Sequence, residues 1–569
     1  MLFHPPAWLP TISQDLSDLD TIGEFVLRGE PNNIATNQTV LISADDAEYL
    51  KTPAQLVEDV DALAAALAHD LCWSSPDSVA EDRNVIGILS ENTPDYLTCC
   101  WAIHRLGGTV LLLHGSTAPG ENAKHLLSSD CKVLISSPTL FQSATATLEA
   151  AGRPESRLYL LTPKPCVATN DDGHTDSIKR VPKTTGKLLN LGRTFARLPA
   201  PKTKTDVAYL CPTSGTSGIQ KLARLTHESV IANILQLAKL ERISRHRDVD
   251  VVLGVGPFSH VQGMIASHTS IYMRDRFILH SKFDIMQVMG SIQTHRINRL
   301  YLVPSVLASL IANPFLFNAF DLSSVDTIYV GAGSLTPELH AKTKEEQPGW
   351  NIVTGYGLTE SPAAVAMSSP HEYLPGSVGI LLSSYQARLI REDGTEVESF
   401  DEPGELLLSS PNQAIGYLGD DEGTAATFRN GWLHTGDVAL FRKSSRGDAH
   451  ICIVDRLRDM VKVKGLQVSP VTIEECLRQH PSVADVAVIG VPDDLAGERP
   501  KAFIVPVENQ DSQPRIDSID HDALFDQLDD HVEAKLTEPH WIRGKYVLLE
   551  VLPRNTSGKV TKGALRARG

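Results

Sequence analysis

Between Asn84 and Ser137 short apolar runs alternate with amphipathic stretches, and this alternation restricts the fold more than any other feature of the chain. "NVIGILS" is apolar at nearly every position, as in a strand covered on both faces. "TPDYLTCCWAIHRLGG" follows, with Thr93 as helix N-cap, Pro94 at the first helical position and Gly107 at the end. Leu97, Cys100 and Trp101 fall on one face of that helix. "TVLLLH", "GENAKHLLSSD" and "CKVLISS" repeat the alternation, which predicts a doubly wound parallel sheet with helices on both faces. The pattern resumes at "VDVVLGVGPF", "RLYLVP" and "DTIYVGAGS".

A chain of 569 residues is too long for one ordinary domain. Its character changes near Asp455, where "HICIVDRLRDMVKVKGLQVSP" leads into a helical "VTIEECLRQH" and the strands "VADVAVIGV" and "KAFIVPV". The expected division is a large unit over 1–457 and a smaller α+β unit over 458–569. Residues 162–205, rich in Lys, Thr, Pro and Gly, read as irregular structure, and "ENQDSQPRIDSIDHDA" as an exposed loop. Leu300 to Phe320 carries no charge over a membrane-spanning length, but Pro304 and Pro314 interrupt it, so it reads as a buried strand followed by a helix starting at Ser305.

Charge and cysteine usage narrow the function. The net charge of −17 argues against a nucleic-acid footprint or attraction to anionic lipid, leaving a small molecule as the expected partner. Eight cysteines without a CxxC pair suggest neither a disulfide framework nor a zinc site, and an intracellular, cytoplasmic location is expected. The start lacks a basic segment followed by an apolar run, and "ALRARG" is not an SKL-type peroxisomal address.

"YLCPTSGTSGIQKLARLTH" places hydroxyls, glycines and a lysine together. Small residues let backbone N–H groups approach an anion and lysine adds a point charge, so a phosphate chain is one guest; a plain surface turn has the same composition. Neither Lys221 nor Lys559 has the spelling of a Walker loop, and "GVGPFS", "GAGSLT" and "GYGLTE" each lack the third glycine of the dinucleotide fingerprint.

Downstream, "GYGLTES", "PGEL", "GYLGD", "GWLHTGDVA", "VDRLRDMVKVKGLQV" and "LPRNTSGKV" occur in that order. Together with the opening loop they resemble the motif series of the adenylate-forming superfamily, nearest the 4-coumarate CoA ligase and luciferase-like branch. The resemblance implies an α/β fold: a large N-terminal domain of doubly wound α/β subdomains with a smaller β-rich part, and a small mobile α+β C-terminal domain. It implies ATP, Mg²⁺ and CoA, with a carboxylate attacking the α-phosphate and a thiol then displacing AMP. AMP as leaving group makes the acyl carbon open to a thiol, and charge on the transferring phosphate calls for electrostatic stabilisation.

The same resemblance implies roles for individual residues. Thr213, Ser214, Gly215, Thr216, Ser217 and Gly218 would wrap the β- and γ-phosphates with Lys221, although Gln220 and Leu222 stand where proline and glycine are usual. Gly331, Ala332 and Gly333 would line adenine. In Gly355, Tyr356 and Gly357, the tyrosine would stack on it. Thr359 would touch the adenylate phosphate, while Glu360 and Thr216 would serve the magnesium ion, which prefers hard oxygen ligands. Thr354 stands where Gln or Asn is frequent. Asp437 would accept both ribose hydroxyls, which an ionised carboxyl can do, with Arg456 beside it. Arg458 would be the hinge, Lys559 the lysine reaching in during adenylation, and Lys462, Lys464, Gly465 and Gln467 the thioester-forming set.

His260 would lie by the substrate carboxylate, near Val261, Met264, Ala363 and Val365, whose apolar character implies a hydrophobic or aromatic acid. Transfer of the acyl group to an acyl carrier protein, a catalytically silent nucleotide-binding regulator and luciferase-type oxidation are the alternatives.

Overall fold

The computed structural model describes residues 1–12, 21–30, 37–46, 48–73, 84–162, 183–198, 206–213, 220–333, 335–464, 466–493, 495–507, 521–542, 545–554 and 560–567. Three sheets organise them.

The first sheet has seven strands in the order Lys183–Thr184, Leu158–Leu160, Val133–Ser136, Val85–Leu89, Thr109–Leu113, Val207–Pro212 and Leu222–Thr226. It is parallel up to the last pair, where Leu222–Thr226 runs antiparallel to its neighbour. Val85–Leu89 and Thr109–Leu113 bury every residue, which is why they read as continuous apolar runs. The helix expected after Thr93 begins later, at Tyr96 with Asp95 as N-cap residue, and all ten of its residues are buried, not one face only. The cause is tertiary: the helices Ile22–Arg28 and Pro53–Leu71 cover its outer side, and Asp95 accepts the Tyr49 hydroxyl at 2.9 Å.

Within the stretch 162–205, residues 183–198 are more regular than its composition suggests, while 163–182 and 199–205 lie outside the described residues. Lys183–Thr184 joins the sheet edge, and Thr184 then caps the helix Thr185–Gly192 through its hydroxyl, 3.2 Å from the Lys187 amide. Gly192 is required by close packing, since a Cβ there would lie 1.8 Å from the Ala62 carbonyl oxygen.

The second sheet has fourteen strands and changes character within one of them. Leu41–Ser43, Arg276–Leu279, Val251–Gly254, Arg299–Leu302, Thr327–Val330 and the first half of Asn351–Leu358 lie side by side in parallel. The second half of Asn351–Leu358 pairs antiparallel with Ser361–Met367, and antiparallel strands continue through Gly379–Leu381, Ala449–Arg456, Trp432–Lys443 and Gly404–Ser409 to Gln386–Ile390. These form the smaller β-rich part.

The span Leu300 to Phe320 is the end of a buried strand followed by the helices Pro304–Ile311 and Phe315–Ala319. The first starts at Pro304, with Val303 as N-cap residue, one residue before the expected serine, because proline's fixed φ suits the first helical position. No helix among the described residues is long and apolar enough to cross a membrane.

The third sheet has five strands: Leu466–Val468, Val461–Val463, Gly497–Pro506 and Val483–Asp493 in order, with Tyr546–Leu548 parallel to Gly497–Pro506. The helices Pro470–Arg478 and His521–Lys535 pack on it, and Leu477, Val488, Leu528 and Val532 share its core. Residues 508–520 of the polar run lie outside the described residues; its end opens the helix His521–Lys535.

Two buried polar clusters fix the large unit. At the N-terminal ends of the parallel strands, Arg299 pairs with Glu241 and, at 2.6 Å, with Asp250, while Arg245 reaches Asp250 at 2.7 Å and Asp275 at 2.5 Å. Between the helices and the seven-stranded sheet, three imidazoles are buried: His104 Nε2 bonds the Ala208 carbonyl at 3.0 Å, His227 Nδ1 accepts the Ile22 amide at 3.2 Å, and His268 Nε2 shares a 3.0 Å bond with the Tyr209 hydroxyl. Burial lowers His104 to about 4, His268 to about 3 and His227 well below the ordinary imidazole value.

Candidate functional site

The C-terminal ends of the parallel strands carry the loops that the sequence singles out, the usual place for a ligand in an open α/β sheet. Three groups of side chains gather there and beyond.

The first group is built on a hairpin. Thr359 and Glu360 form the two-residue tip between Asn351–Leu358 and Ser361–Met367. Gly357 brings the strands unusually close, since a Cβ there would lie 1.6 Å from the Ala363 carbonyl oxygen. Ala363 answers with a left-handed φ of 57°. The Glu360 carboxylate accepts the Tyr417 hydroxyl at 2.7 Å, and its carbonyl accepts the Ala414 amide at 2.8 Å. Burial and the Glu360 charge raise the Tyr417 phenol above its ordinary range, so it stays a donor.

Lys221 joins this group from the first sheet. Its Nζ is 2.7 Å from Asp420 Oδ2 and 4.7 Å from the centroid of the Tyr417 ring. Its backbone holds Thr213: the Thr213 amide donates to the Lys221 carbonyl at 2.8 Å, and the Lys221 amide to the Thr213 hydroxyl at 3.3 Å. Ser214, Gly215, Thr216, Ser217 and Gly218 lie outside the described residues. Both unusual neighbours of Lys221 have defined places: Gln220 Oε1 is 3.0 Å from His125 Nε2, and Leu222 is buried.

The second group centres on Asp437, which is nearly inaccessible. Tyr356 donates its hydroxyl to Oδ2 at 2.5 Å and Arg456 Nε lies 2.6 Å from Oδ1. Burial, then the Asp437 charge, push the Tyr356 phenol well above its ordinary value. Gly331 sits beside Gly355, and an added Cβ on it would meet Gln262 Nε2 at 3.2 Å; Ala332 has a left-handed φ of 63°, and a Cβ at Gly333 would press Pro304 at 3.3 Å. Thr354 is satisfied by Ser368, whose hydroxyl is 2.9 Å from both its amide and its hydroxyl oxygen.

His260 is the N-cap residue of the helix Val261–Tyr272, its ring 4.8 Å from that of His114. That helix packs against Ser361–Met367, and Val261, Met264, Ala363 and Val365 belong to one core cluster; Met264 and Val365 are buried in it, while Val261 and Ala363 are half-buried.

The third group lies on the small sheet and is not gathered with the other two. Lys462 Nζ and Gln467 Nε2 both bond Glu392, at 2.7 and 3.0 Å, and Lys464 bonds Glu538 at 3.1 Å. Arg458 falls in the four-residue turn between Ala449–Arg456 and Val461–Val463, 3.9 Å from Asp459, which Arg566 also holds at 2.7 Å. Gly465 and Lys559 lie outside the described residues.

Tyr417, Asp420 and Glu392 have no candidate role in the sequence reading. Tyr417 and Asp420 stand inside "GYLGD", but nothing local shows that this segment reaches Lys221.

Among the described residues no cluster of three or more His, Cys, Asp or Glu could hold a metal ion. The Glu360 carboxylate, with one oxygen engaged by Tyr417, fits an ion that takes its remaining oxygens from phosphate and water.

Comparison with known proteins gives one consistent result. The family model described as AMP-binding enzyme matches residues 29–418, and that for the AMP-binding enzyme C-terminal domain matches residues 472–559. An acyl-CoA ligase of Emericella nidulans is 39% identical over 579 residues, covering 100% of both chains. An acyl-CoA ligase of Cordyceps militaris is 36% identical over 587 residues, covering 100% of this chain and 90% of its own. The crystal structure of an anthranilate CoA ligase in complex with anthranoyl-AMP superposes with a TM-score of 0.81 at 23% identity, over 98% of each chain, which speaks for the fold.

Proposed function

The chain belongs to the AMP-binding enzyme family, and we propose that it is an acyl-CoA ligase converting a hydrophobic or aromatic carboxylic acid, MgATP and CoA into the acyl-CoA, AMP and pyrophosphate. The observation that carries the reading is the full-length likeness to acyl-CoA ligases together with the pairing of Asp437 with Tyr356 and Arg456.

Asp437 would receive the ribose hydroxyls of ATP, held in orientation by Arg456 and Tyr356, since its two oxygens are already aimed by fixed donors. Glu360 and Thr216 would hold Mg²⁺ on the phosphates; when bound, the ion neutralises charge on phosphate oxygens. Tyr417 keeps Glu360 fixed as an acceptor, and Lys221 offers a point charge beside it. Thr359, next to Glu360 on the same tip, would donate to the adenylate phosphate, and residues 213–218 would close over the β- and γ-phosphates. His260, its ring tilted beside that of His114, would border the acid, whose apolar body would rest on Val261 and Ala363.

The two half-reactions fall to two arrangements of the domains 1–457 and 458–569, turning about Arg458. Lys559 would stabilise charge during adenylation, and Lys462, Lys464, Gly465 and Gln467 would serve thioester formation. The turn 457–460, where one sheet ends and the next begins, supports the boundary.

The test is AMP release from MgATP across fatty, aromatic and branched acids, with and without CoA, beside Lys559→Ala. Turnover requiring both an acid and CoA is expected. Pyrophosphate release that depends on an acid but ignores CoA would replace CoA by a carrier protein. Lys559→Ala should lose adenylate formation by orders of magnitude yet still form thioester from supplied acyl-adenylate; equal loss in both steps would contradict its role.

A further inference from the structure

We propose that Asp420 is a counter-ion that parks Lys221 on the Tyr417 ring and competes with the polyphosphate of ATP for it, so that this carboxylate sets nucleotide affinity. This rests on the reading of Lys221 and Glu360 as nucleotide residues.

Four side chains form a continuous series. Asp420 Oδ2 is 2.7 Å from Lys221 Nζ, the ammonium lies 4.7 Å from the Tyr417 ring centroid, and the Tyr417 hydroxyl donates to Glu360 at 2.7 Å. The segment carrying Tyr417 is fixed to the strand that follows Lys221: Leu418 donates to the Leu222 carbonyl at 2.9 Å, Arg224 to Gly416 at 2.9 Å and Ile415 to Arg224 at 3.0 Å. One phenol therefore supports the two charges of opposite sign that the nucleotide would need, with its face and its hydroxyl.

The pair occupies a space made for it. Asp420 Oδ1 accepts the Gly423 amide at 2.8 Å while Oδ2 takes the lysine. A Cβ on Gly423 would lie 2.2 Å from Asp420 Oδ2 and 2.3 Å from Lys221 Nζ, so a side chain at 423 would split the pair. Gln220 is tied to His125 and Leu222 is buried, which leaves exchange of partners to the Lys221 side chain. Both partners are 35% exposed, so the pair is weak enough to be replaced, and a triphosphate carries more charge than one carboxylate.

Asp420→Asn removes the charge but keeps an oxygen to accept the Gly423 amide. Binding of Mg²⁺ with a non-hydrolysable ATP analogue should tighten about two- to fivefold, while AMP, which lacks the β- and γ-phosphates, binds as before. In a Lys221→Ala background the same substitution should change nothing. Unchanged or weaker ATP-analogue binding in Asp420→Asn, with Lys221→Ala still weakening it, overturns the counter-ion and leaves the nucleotide reading standing. If Lys221→Ala leaves binding unchanged, both fall. Should Asp420→Asn lose its fold, Gly423→Ala decides: tightening for the ATP analogue alone supports the proposal, and its absence overturns it.

Discussion

Arg456 and Asp437 face each other as a register pair of adjacent antiparallel strands, and the guanidinium Nε lies 2.6 Å from a carboxylate oxygen that solvent scarcely reaches. Removing either partner therefore takes the nearest opposite charge away from the other. Arg456→Ala should cost about 1–3 kcal/mol, below the range for fully buried pairs because Arg456 itself is 37% exposed. Asp437→Asn, which keeps the fold better, should lower acid-dependent AMP release at least about tenfold if the carboxylate accepts the ribose hydroxyls. Denaturant midpoints and AMP release measured on the same samples separate the two effects.

Gly357→Ala tests the hairpin tip. The added methyl would press on the Ala363 carbonyl, so the strands must part where they carry Thr359 and Glu360. An activity loss of about a hundredfold or more is expected with the rest of the sheet intact, read as lost AMP release with retained far-ultraviolet dichroism. Normal activity would place the tip outside the chemistry.

The Arg299 network offers the opposite test, stability without catalysis. Arg299→Met leaves Glu241 and Asp250 buried without their shared cation and should cost about 3–5 kcal/mol. Because the network lies at the N-terminal ends of the parallel strands, the folded fraction should keep its turnover number. A midpoint in urea within experimental error of the parent would show the network to be dispensable.

Acid should loosen the fold through the buried histidines. In the unfolded chain they take up protons below about pH 6.5, whereas folded His104 and His268 stay neutral down to about 4 and about 3. The unfolded state therefore binds more protons in this window, and stability falls as pH drops from about 6.5 towards 4, by up to about 1.4 kcal/mol per pH unit for each histidine. His268→Gln, which can still hydrogen-bond the Tyr209 hydroxyl, should flatten the fall by one proton's worth between pH 6 and 4 in thermal melts. An unchanged slope would remove His268 from the account.

Legibility followed the range of the contacts. Strands such as Val85–Leu89 and Thr109–Leu113 were plain because burial on both faces writes itself as an unbroken apolar run. The helix start at Tyr96 was not, because Thr93 and Pro94 imitate a cap while the actual boundary follows from Tyr49 bonding Asp95. Asp437 and Arg456 could be paired through a motif series, since the family resemblance supplies a partner that spacing cannot, whereas the Tyr356 bond to Asp437 could not, because the resemblance gives that ring only the place beside adenine. Asp420 and Glu392 stayed silent: each meets its lysine across a long stretch of chain, and an Asp or Glu in a polar turn looks the same whether it meets water or an ammonium group.

The strand Asn351–Leu358 is paired parallel through Thr354 and antiparallel from Gly355, and its hairpin partner carries Ala363 only three residues beyond Glu360. On the proposed roles of Ala363 beside the acid and Glu360 at the ion, selection for a bulkier or smaller acid would act on the same stiff ribbon that carries Glu360. On the same reading, new substrate preferences should arise more readily at Val261, half-buried on the first turn of the helix Val261–Tyr272, than within the hairpin itself.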